Sequence, residues 1–233
     1  MNSARKVVIT GGVAVGKSSV LAAVREELTN MKMNHVYVPE YIDVKADGVA
    51  MLNKYFDKSI TVYEFQTYIL NYYREYLATL KVGKDDIVLF ERVPDDGITC
   101  YSNLDNSIGR LSDDEFLSLY RNVKDLDTHY NIPSYLLGNN FVFFPIKSVD
   151  AKQDGRLIAE IIRNRSDANL IFGLYNTDEI CYQRMLKRNR KGEEGAYSKQ
   201  SIADFNYHYK QLYKELMYGE GIRFVNLGKL IRV

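Results

Sequence analysis

Short runs of apolar, largely β-branched residues alternate along the chain with stretches in which apolar residues recur every three or four positions. One run, over residues 6–10, is followed at once by Gly11 and Gly12, which is typical of a buried strand that ends in a loop. The other runs cover residues 35–38, 87–90, 170–174 and 222–225. Strands separated by helices form right-handed crossovers. We therefore expect an α/β fold with a five-stranded, mostly parallel sheet and helices on both faces.

Two long helical patterns stand out. Residues 61–80 place Phe65, Ile69 and Tyr72 on one face, and a second pattern covers residues 199–217. Both patterns predict amphipathic helices that pack on a core.

The stretch over residues 103–167 is harder to interpret. Residues 111–120 look helical, and residues 141–146 (FVFFPI) look like a strand interrupted by Pro145. The sequence does not place this stretch in the fold. Since no repeat or Pro/Ser-rich linker divides the chain, we expect a single domain over residues 1–233.

Composition excludes several classes of protein. The 233 residues are 46% hydrophobic and 26% charged, with a formal charge of +1, which argues against coating nucleic acid or an anionic membrane. No window reaches the roughly 18 apolar residues of a membrane span, and the first residues lack a signal peptide. Two cysteines, Cys100 and Cys181, fit free thiols in a reducing compartment. We expect a cytoplasmic protein with neither nucleic acid nor membrane as its partner.

The residues after the first predicted strand match G-x-x-x-x-G-K-[ST], a phosphate-binding loop. The Gly-rich backbone would aim N–H groups at phosphate oxygens, Lys17 would reach the β and γ phosphates, and the Ser18 hydroxyl would face Mg²⁺. The predicted phosphate-binding residues are Gly11, Gly12, Val13, Ala14, Val15, Gly16, Lys17, Ser18 and Ser19. The alternative is a Gly-rich turn without a ligand.

A basic stretch precedes the sequence GEEG at residues 192–195. Arg184 and Arg188 are four residues apart and share a helix face, while Arg190 lies where the helix should end. Three guanidinium groups on such a flap, over about residues 184–196, would neutralise charge on a phosphoryl group in transfer. A solvated basic helix is the alternative interpretation.

These segments together resemble the deoxynucleoside kinases, a family that includes deoxycytidine kinase and the herpesvirus thymidine kinases. The resemblance covers the phosphate loop, VPE at residues 38–40, FQTY at 65–68, FER at 90–92 and the basic flap. ERVP at residues 91–94, followed by Cys100 and Tyr101, is similar to the viral thymidine kinase form. The resemblance implies a P-loop kinase fold with a basic helical lid, ATP and Mg²⁺ as cofactors, and a homodimer.

The resemblance also implies roles for charged residues near strand ends. Glu40 would take the proton from the nucleoside 5′-hydroxyl, and Arg92 would hold the same oxygen. Glu91 would hold Mg²⁺ together with Ser18. Lys17 and the three flap arginines would act on the phosphoryl group. The alternative for both glutamates is an ordinary loop carboxylate.

The nucleoside pocket follows from the same resemblance. Gln66 would read a pyrimidine edge, Tyr101 would stack on the base, and Tyr55 and Glu193 would bind the sugar 3′-hydroxyl. The predicted substrate-binding residues are Tyr55, Gln66, Ile69, Tyr73, Arg92, Gly97, Tyr101 and Glu193. The family's base-reading arginine and acidic residue fall on Tyr73 and Gly97, which favours thymine over cytosine.

We therefore expect phosphoryl transfer from ATP to the 5′-hydroxyl of a deoxynucleoside, with thymidine favoured. Two alternatives stay open. One is a nucleoside monophosphate (thymidylate) kinase, and the other is a non-catalytic nucleotide-binding regulatory protein.

Overall fold

The computed structural model describes residues 4–137, 141–166, 168–188 and 197–218. Its strands are β1 (Arg5–Gly11), β2 (His35–Val38), β3 (Ile87–Glu91), β4 (Phe141–Lys147) and β5 (Asn169–Tyr175). They form one parallel sheet in the order β2-β3-β1-β5-β4. The expected α/β fold is confirmed. The strand predicted over residues 222–225 lies outside the described residues, and β4 is the fifth strand of this sheet.

Helices connect the strands. They are α1 (Lys17–Asn30), α2 (Tyr41–Val44), α3 (Gly48–Phe56), α4 (Val62–Thr79), α5 (Pro94–Asp96), α6 (Asn103–Ser107), α7 (Asp113–Tyr130), α8 (Ala151–Asn164), α9 (Asp178–Arg188) and α10 (Lys199–Tyr218), and a π-helical segment covers Gly97–Ser102. Among the described helices, none combines the length and the apolar composition needed to cross a membrane.

The start of α4 shows how the sequence sets a helix boundary. Glu64 N donates to the Thr61 hydroxyl at 3.1 Å, and Thr61 N donates back to the Glu64 carboxylate at 2.7 Å. This capping box satisfies two backbone donors that the first helical turn cannot. The helix predicted over residues 61–80 is confirmed, and so is the one predicted over residues 199–217, which is α10.

Alternate residues of β1 face two different cores. Val8 points toward the layer that contains α4, α7 and α10, whereas Val7 and Ile9 point toward α1 and α8. Both cores are apolar and their β1 residues have no exposed surface. A central strand buried on both faces reads as a continuous apolar run, which is why residues 6–10 were recognisable.

The stretch over residues 103–167, which the sequence did not place, forms α6, α7, β4 and α8. In β4, Pro145 pairs with Gly173 of β5 without ending the strand. β4 is an edge strand of the sheet that the described residues form. The backbone groups on its outer side form no hydrogen bonds to another strand of that sheet, and edge strands tolerate proline. The helix expected at residues 111–120 is longer than its pattern indicated and runs over Asp113–Tyr130.

A buried polar cluster ties this stretch to the strand ends. Asp95 accepts hydrogen bonds from the Ser134 hydroxyl at 2.8 Å and from Leu136 N at 3.1 Å. Asp96 accepts from the Thr10 hydroxyl at 2.6 Å. The side chains of Asp95, Asp96 and Asp127 are almost fully buried. These bonds join β1, α5 and residues 132–137 beneath the carboxyl ends of the strands.

Candidate active site

A cavity of about 510 Å³ opens at the carboxyl ends of β1, β2 and β3. Ligands of open parallel sheets bind at this edge, where loops and helix N-termini converge. The phosphate loop lines one end of the cavity and aromatic residues line the other. The predicted site residues that line it are Val13, Ala14, Gly16, Lys17, Ser18, Ser19, Glu40, Tyr55, Gln66, Ile69, Tyr73, Glu91, Arg92, Gly97, Tyr101, Arg184 and Arg188.

The phosphate loop has the backbone that its glycines allow. Gly16 adopts a left-handed conformation with φ of 111°, and α1 begins at the next residue. Lys17 is buried, and its Nζ donates to the Gly12 carbonyl at 3.0 Å. Burial and the nearby Arg92 lower the pKa of Lys17 to about 8, because both disfavour its charged form. An anion between Lys17 and the N-terminus of α1 would reverse that effect.

Three loop residues do not face the cavity. Gly11 and Val15 lie beneath the loop, and Gly12 packs against Asn206 of α10. A Cβ on Gly12 would collide with Asn206 Oδ1, and the Asn206 amide itself donates to Asp178 of α9 at 2.9 Å. Helix α10 therefore supports the loop directly, which the sequence pattern did not indicate.

Glu40 follows β2 and faces two cations. Its Oε1 lies 3.0 Å from Arg92 Nη1 and 4.0 Å from Lys17 Nζ. The chain before it is fixed because the Tyr72 hydroxyl of α4 donates to the Pro39 carbonyl at 2.6 Å. A largely buried carboxylate beside two positive charges can serve as the proton acceptor for a group placed next to it.

Arg92 is held from several sides. Its φ of 63° is unusual for a residue other than glycine, and its N–H donates to the Ile9 carbonyl at 3.1 Å. Its Nη2 donates to the Gly11 carbonyl at 3.3 Å, and its guanidinium lies 5.3 Å from the Tyr101 ring centroid. Backbone strain of this kind persists where the surrounding structure fixes a functional side chain.

Ser18 and Glu91 meet on the β3 side of the loop. The Ser18 hydroxyl donates to Glu91 Oε1 at 2.7 Å, and the Glu91 side chain is almost completely buried. One hydroxyl and one carboxylate beside a phosphate loop are the oxygen ligands that Mg²⁺ uses, with waters and phosphate oxygens completing its shell. This donor set fits the metal that the sequence predicts.

The flap arginines differ in their contacts. Arg184 Nη1 donates to the Val15 carbonyl at 2.7 Å, and its Nη2 lies 3.4 Å from the carbonyls of Ser148 and Val149. Arg184 thereby joins α9 to the loop and to the end of β4 while it lines the cavity. Arg188, one turn later, lines the cavity as well. Arg190 and Glu193 lie outside the described residues.

The far half of the cavity is aromatic. Tyr101 packs against Phe205 of α10 with ring centroids 4.9 Å apart, and Tyr197 lies 5.9 Å from Phe205 and 5.0 Å from Phe56 of α3. Tyr197 and Phe205 line the cavity but are not among the predicted site residues. The helical pattern over residues 199–217, to which Phe205 belongs, predicts only packing on a core.

Gln66 is a polar side chain in this apolar half. It is 6% exposed and lines the cavity, and no described residue forms a hydrogen bond with its amide. Gly97 lies opposite, where a Cβ would come 3.0 Å from Gln66 Oε1. A buried amide needs a partner, so its donor and acceptor are available to a ligand. Tyr73 and Ile69, also on α4, complete this wall.

Tyr55 has a partner within the protein. Its hydroxyl donates to Asp105 Oδ2 at 3.3 Å, and Arg110 pairs with the same carboxylate at 3.0 Å. The oxygen of Tyr55 retains lone pairs and can still accept a hydrogen bond from a ligand. The Tyr101 hydroxyl is buried and has no partner among the described residues, as is also true of Arg92 Nε. Tyr101 and Arg92 therefore each place an unsatisfied polar atom at the cavity, and Tyr55 adds a hydroxyl oxygen that can still accept.

Comparison with solved structures identifies the fold. The chain superposes on a deoxyadenosine kinase from M. mycoides with bound dATP with a TM-score of 0.55 at 17% identity, covering 92% of this chain and 86% of that one. The same enzyme with bound dCTP gives a TM-score of 0.52 at 16% identity, covering 91% and 85%. No protein-family model matches the chain, and no curated protein matches it significantly. The chain has the P-loop kinase fold.

Proposed function

We propose that this protein is a deoxynucleoside kinase that transfers a phosphoryl group from ATP to the 5′-hydroxyl of its substrate. Thymidine is the favoured substrate. The observation that carries the proposal is the position of Glu40. Its carboxylate lies between the phosphate loop and the aromatic half of the same cavity, 4.0 Å from Lys17 and 3.0 Å from Arg92.

The geometry supports a simple division of work. Triphosphate binds along the loop, where backbone N–H groups, Lys17 and the flap arginines neutralise its charge. The nucleoside binds in the aromatic half, with its 5′-hydroxyl toward Glu40. Glu40 accepts the hydroxyl proton as the oxygen attacks the γ phosphorus, and the bond from that phosphorus to the β–γ bridging oxygen breaks, so that ADP leaves. Arg92 holds the carboxylate and the attacking oxygen together.

Ser18 and Glu91 would hold Mg²⁺, which supplies positive charge that neutralises the phosphates when it is bound. The fixed positions of Ser18 and Glu91 orient the cation site before any ligand arrives. Exclusion of water by the aromatic residues would direct phosphoryl transfer to the sugar and away from solvent.

Base choice depends on the wall around Gln66. An amide can pair with the adjacent carbonyl and N–H of thymine, and it can equally pair with the N6 and N7 edge of adenine. The uncharged neighbours Tyr73 and Gly97 offer no group that favours cytosine. The M. mycoides enzymes that share the fold are deoxyadenosine kinases, so deoxyadenosine belongs in any substrate panel.

Glu40 also argues against a monophosphate acceptor. A phosphate on the acceptor would approach this carboxylate, and like charges at such distances repel. A non-catalytic nucleotide-binding protein would not need Glu40, Arg92 and Lys17 in contact with one cavity.

The test is an ADP-release assay with ATP and Mg²⁺ against thymidine, deoxycytidine, deoxyadenosine, deoxyguanosine and thymidine monophosphate. We expect turnover on thymidine that Glu40→Gln abolishes, while Glu40→Gln still binds ATP. Glu75→Gln is the matched control, because Glu75 forms an exposed ion pair with Lys45 and neither residue lines the cavity. Turnover on thymidine monophosphate alone would favour the monophosphate kinase, and no turnover on any acceptor would contradict an enzymatic role.

A further inference from the structure

The side chain of Tyr37 contacts the carboxylate that faces the phosphate loop. Tyr37 lies on β2 opposite Leu89 of β3, and Glu91 follows Leu89 by two residues on the same strand face. The Tyr37 hydroxyl donates to Glu91 Oε2 at 2.9 Å, while the Ser18 hydroxyl donates to Glu91 Oε1 at 2.7 Å. Each oxygen of the carboxylate therefore has its own hydroxyl donor, from opposite sides.

The Tyr37 ring is itself held in place. The guanidinium of Arg25, on α1, lies 4.8 Å from the ring centroid, at cation–π distance. The backbone of Tyr37 is fixed by the pairing of β2 with β3, and the Tyr76 hydroxyl of α4 adds a single bond to its carbonyl at 3.2 Å.

We propose that Tyr37 is a positioning residue for Mg²⁺: by binding one oxygen of Glu91, it holds the other toward Ser18 and the phosphate loop. This inference rests on the proposed function, because it assigns a metal to the Ser18–Glu91 pair. Tyr37 does not touch substrate or phosphate. It acts through Glu91 alone.

The physical reason is the freedom of a glutamate side chain. A carboxylate held at one oxygen only can rotate and expose either oxygen to a cation, and ordering it again costs rotamer entropy on each binding event. Outer partners of metal ligands typically change metal affinity or activity by about 10–100-fold. Mg²⁺ keeps several waters, so we expect the lower end of that range.

The experiment compares Tyr37→Phe with Tyr76→Phe. The first removes only the hydroxyl that binds Glu91, and the second removes a hydroxyl that contacts Tyr37 through its backbone and does not touch Glu91. Mn²⁺ replaces Mg²⁺ as the probe, and its binding to the full-length protein with ADP is measured by electron paramagnetic resonance. Thermal melting of both variants monitors folding.

For Tyr37→Phe, we expect the dissociation constant of Mn²⁺ in the ADP complex to rise about tenfold. The Mg²⁺ concentration for half-maximal turnover should rise with it, while kcat at saturating Mg²⁺ and the nucleoside KM stay within about twofold. Tyr76→Phe should leave the Mn²⁺ affinity unchanged. Affinity within twofold of wild type in Tyr37→Phe, or an equal loss in both variants, would overturn the inference.

The outcome is separable from that of the proposed function. If wild type phosphorylates no nucleoside but Tyr37→Phe still weakens Mn²⁺ in the ADP complex, the positioning role stands and the substrate assignment fails. If wild type is active and Mn²⁺ affinity does not depend on Tyr37, the reverse holds. Absence of Mn²⁺ binding to the wild-type ADP complex would also overturn the inference.

Discussion

Glu40 Oε1 and Arg92 Nη1 are 3.0 Å apart, and the Arg92 backbone is left-handed to make this contact from the end of β3. The next polar contact of the guanidinium is the Gly11 carbonyl, at 3.3 Å from Nη2. One planar group therefore joins the carboxylate after β2 to the start of the phosphate loop. A lysine carries the charge but cannot make both contacts, since it lacks the forked geometry.

We expect Arg92→Lys to lower kcat by about a hundredfold, the size of effect seen when one donor to a developing negative charge is removed. ATP affinity should change little, because Lys17 and the loop N–H groups are untouched. Steady-state kinetics measures kcat, and titration with ADP measures the nucleotide affinity. Arg156→Lys, at an exposed ion pair with Glu160, is the matched control. Wild-type kcat in Arg92→Lys would show that the fork is not needed.

The second prediction concerns recognition of the nucleoside base by the cavity wall that contains Gln66 and Gly97. Gln66→Leu should raise the nucleoside KM and reduce the preference among bases, because the pocket loses its hydrogen bonds to the base edge. Gly97→Ala should act in the same direction, since the added Cβ would come 3.0 Å from Gln66 Oε1 and displace the amide. Ranking of four nucleosides by kcat/KM measures the effect.

Gln200→Leu is the control for that experiment, because the Gln200 amide donates to Asp204 on the exposed side of α10 and Gln200 does not line the cavity. An unchanged base ranking in Gln66→Leu would place base recognition elsewhere in the cavity. The two variants test different properties of the Gln66 amide. Gln66→Leu removes the amide, whereas Gly97→Ala keeps it but displaces it.

A third prediction concerns stability. Lys6 on β1 has no exposed surface, and among the described residues its Nζ donates only to the Ala4 carbonyl, at 3.1 Å. Burial lowers the pKa of Lys6 from 10.5 to about 8. Replacing an unpaired buried charge with an apolar side chain of similar shape commonly stabilises a protein. Lys6→Met should raise the free energy of unfolding at pH 7 by about 1–3 kcal/mol.

The pH dependence checks the cause. Between about pH 8 and 10.5 the unfolded state keeps the Lys6 proton and the folded state has released it, so wild-type stability rises relative to Lys6→Met. In urea unfolding, the difference in free energy of unfolding between Lys6→Met and wild type should be smaller at pH 10 than at pH 7. Lys152→Met, on the exposed face of α8, should show no such change. A gap that is constant with pH would rule out the Lys6 proton as its source.

The sequence could predict those parts of the fold that depend on local pattern. Residues 6–10 read as a central strand because both faces of β1 are buried, and the glycines after it predicted the phosphate loop. The position of β4 could not be predicted, because the local sequence pattern does not determine the order of strands in a sheet. Pro145 is compatible with β4 because β4 is an edge strand of the described sheet, and that too depends on strand order.

The candidate site shows the same division. Glu40, Arg92 and Gln66 belong to motifs, and the structure brings all three to one cavity. Phe205 and Tyr37 could not be found in this way. Apolar stripes and strand alternation assign each of them to packing, and only the fold shows that one faces the cavity and that the other reaches Glu91.

The last prediction concerns the buried pair of Asp95 and Asp127. Burial and the neighbouring Asp95 carboxylate raise the pKa of Asp127 well above its usual value, which favours its neutral form. Asp95 is meanwhile held as an acceptor by Ser134 and Leu136. An asparagine at position 127 has nearly the same shape and is also uncharged. We expect Asp127→Asn to change the free energy of unfolding at pH 5 by less than about 1 kcal/mol.

The free energies of unfolding of wild type and Asp127→Asn should diverge as pH rises. Because the folded-state pKa of Asp127 is raised, its contribution is present at low pH and is lost as pH increases through the folded-state value. Wild type should therefore lose stability relative to Asp127→Asn between pH 5 and pH 9, measured by urea unfolding. Asp125→Asn, on the exposed side of α7, is the control. Asp127→Leu, which is neutral but has no donor for Asp95, should be less stable than Asp127→Asn by about 1–3 kcal/mol at every pH. Parallel pH profiles for wild type and Asp127→Asn would show that Asp127 is not the group that binds the proton.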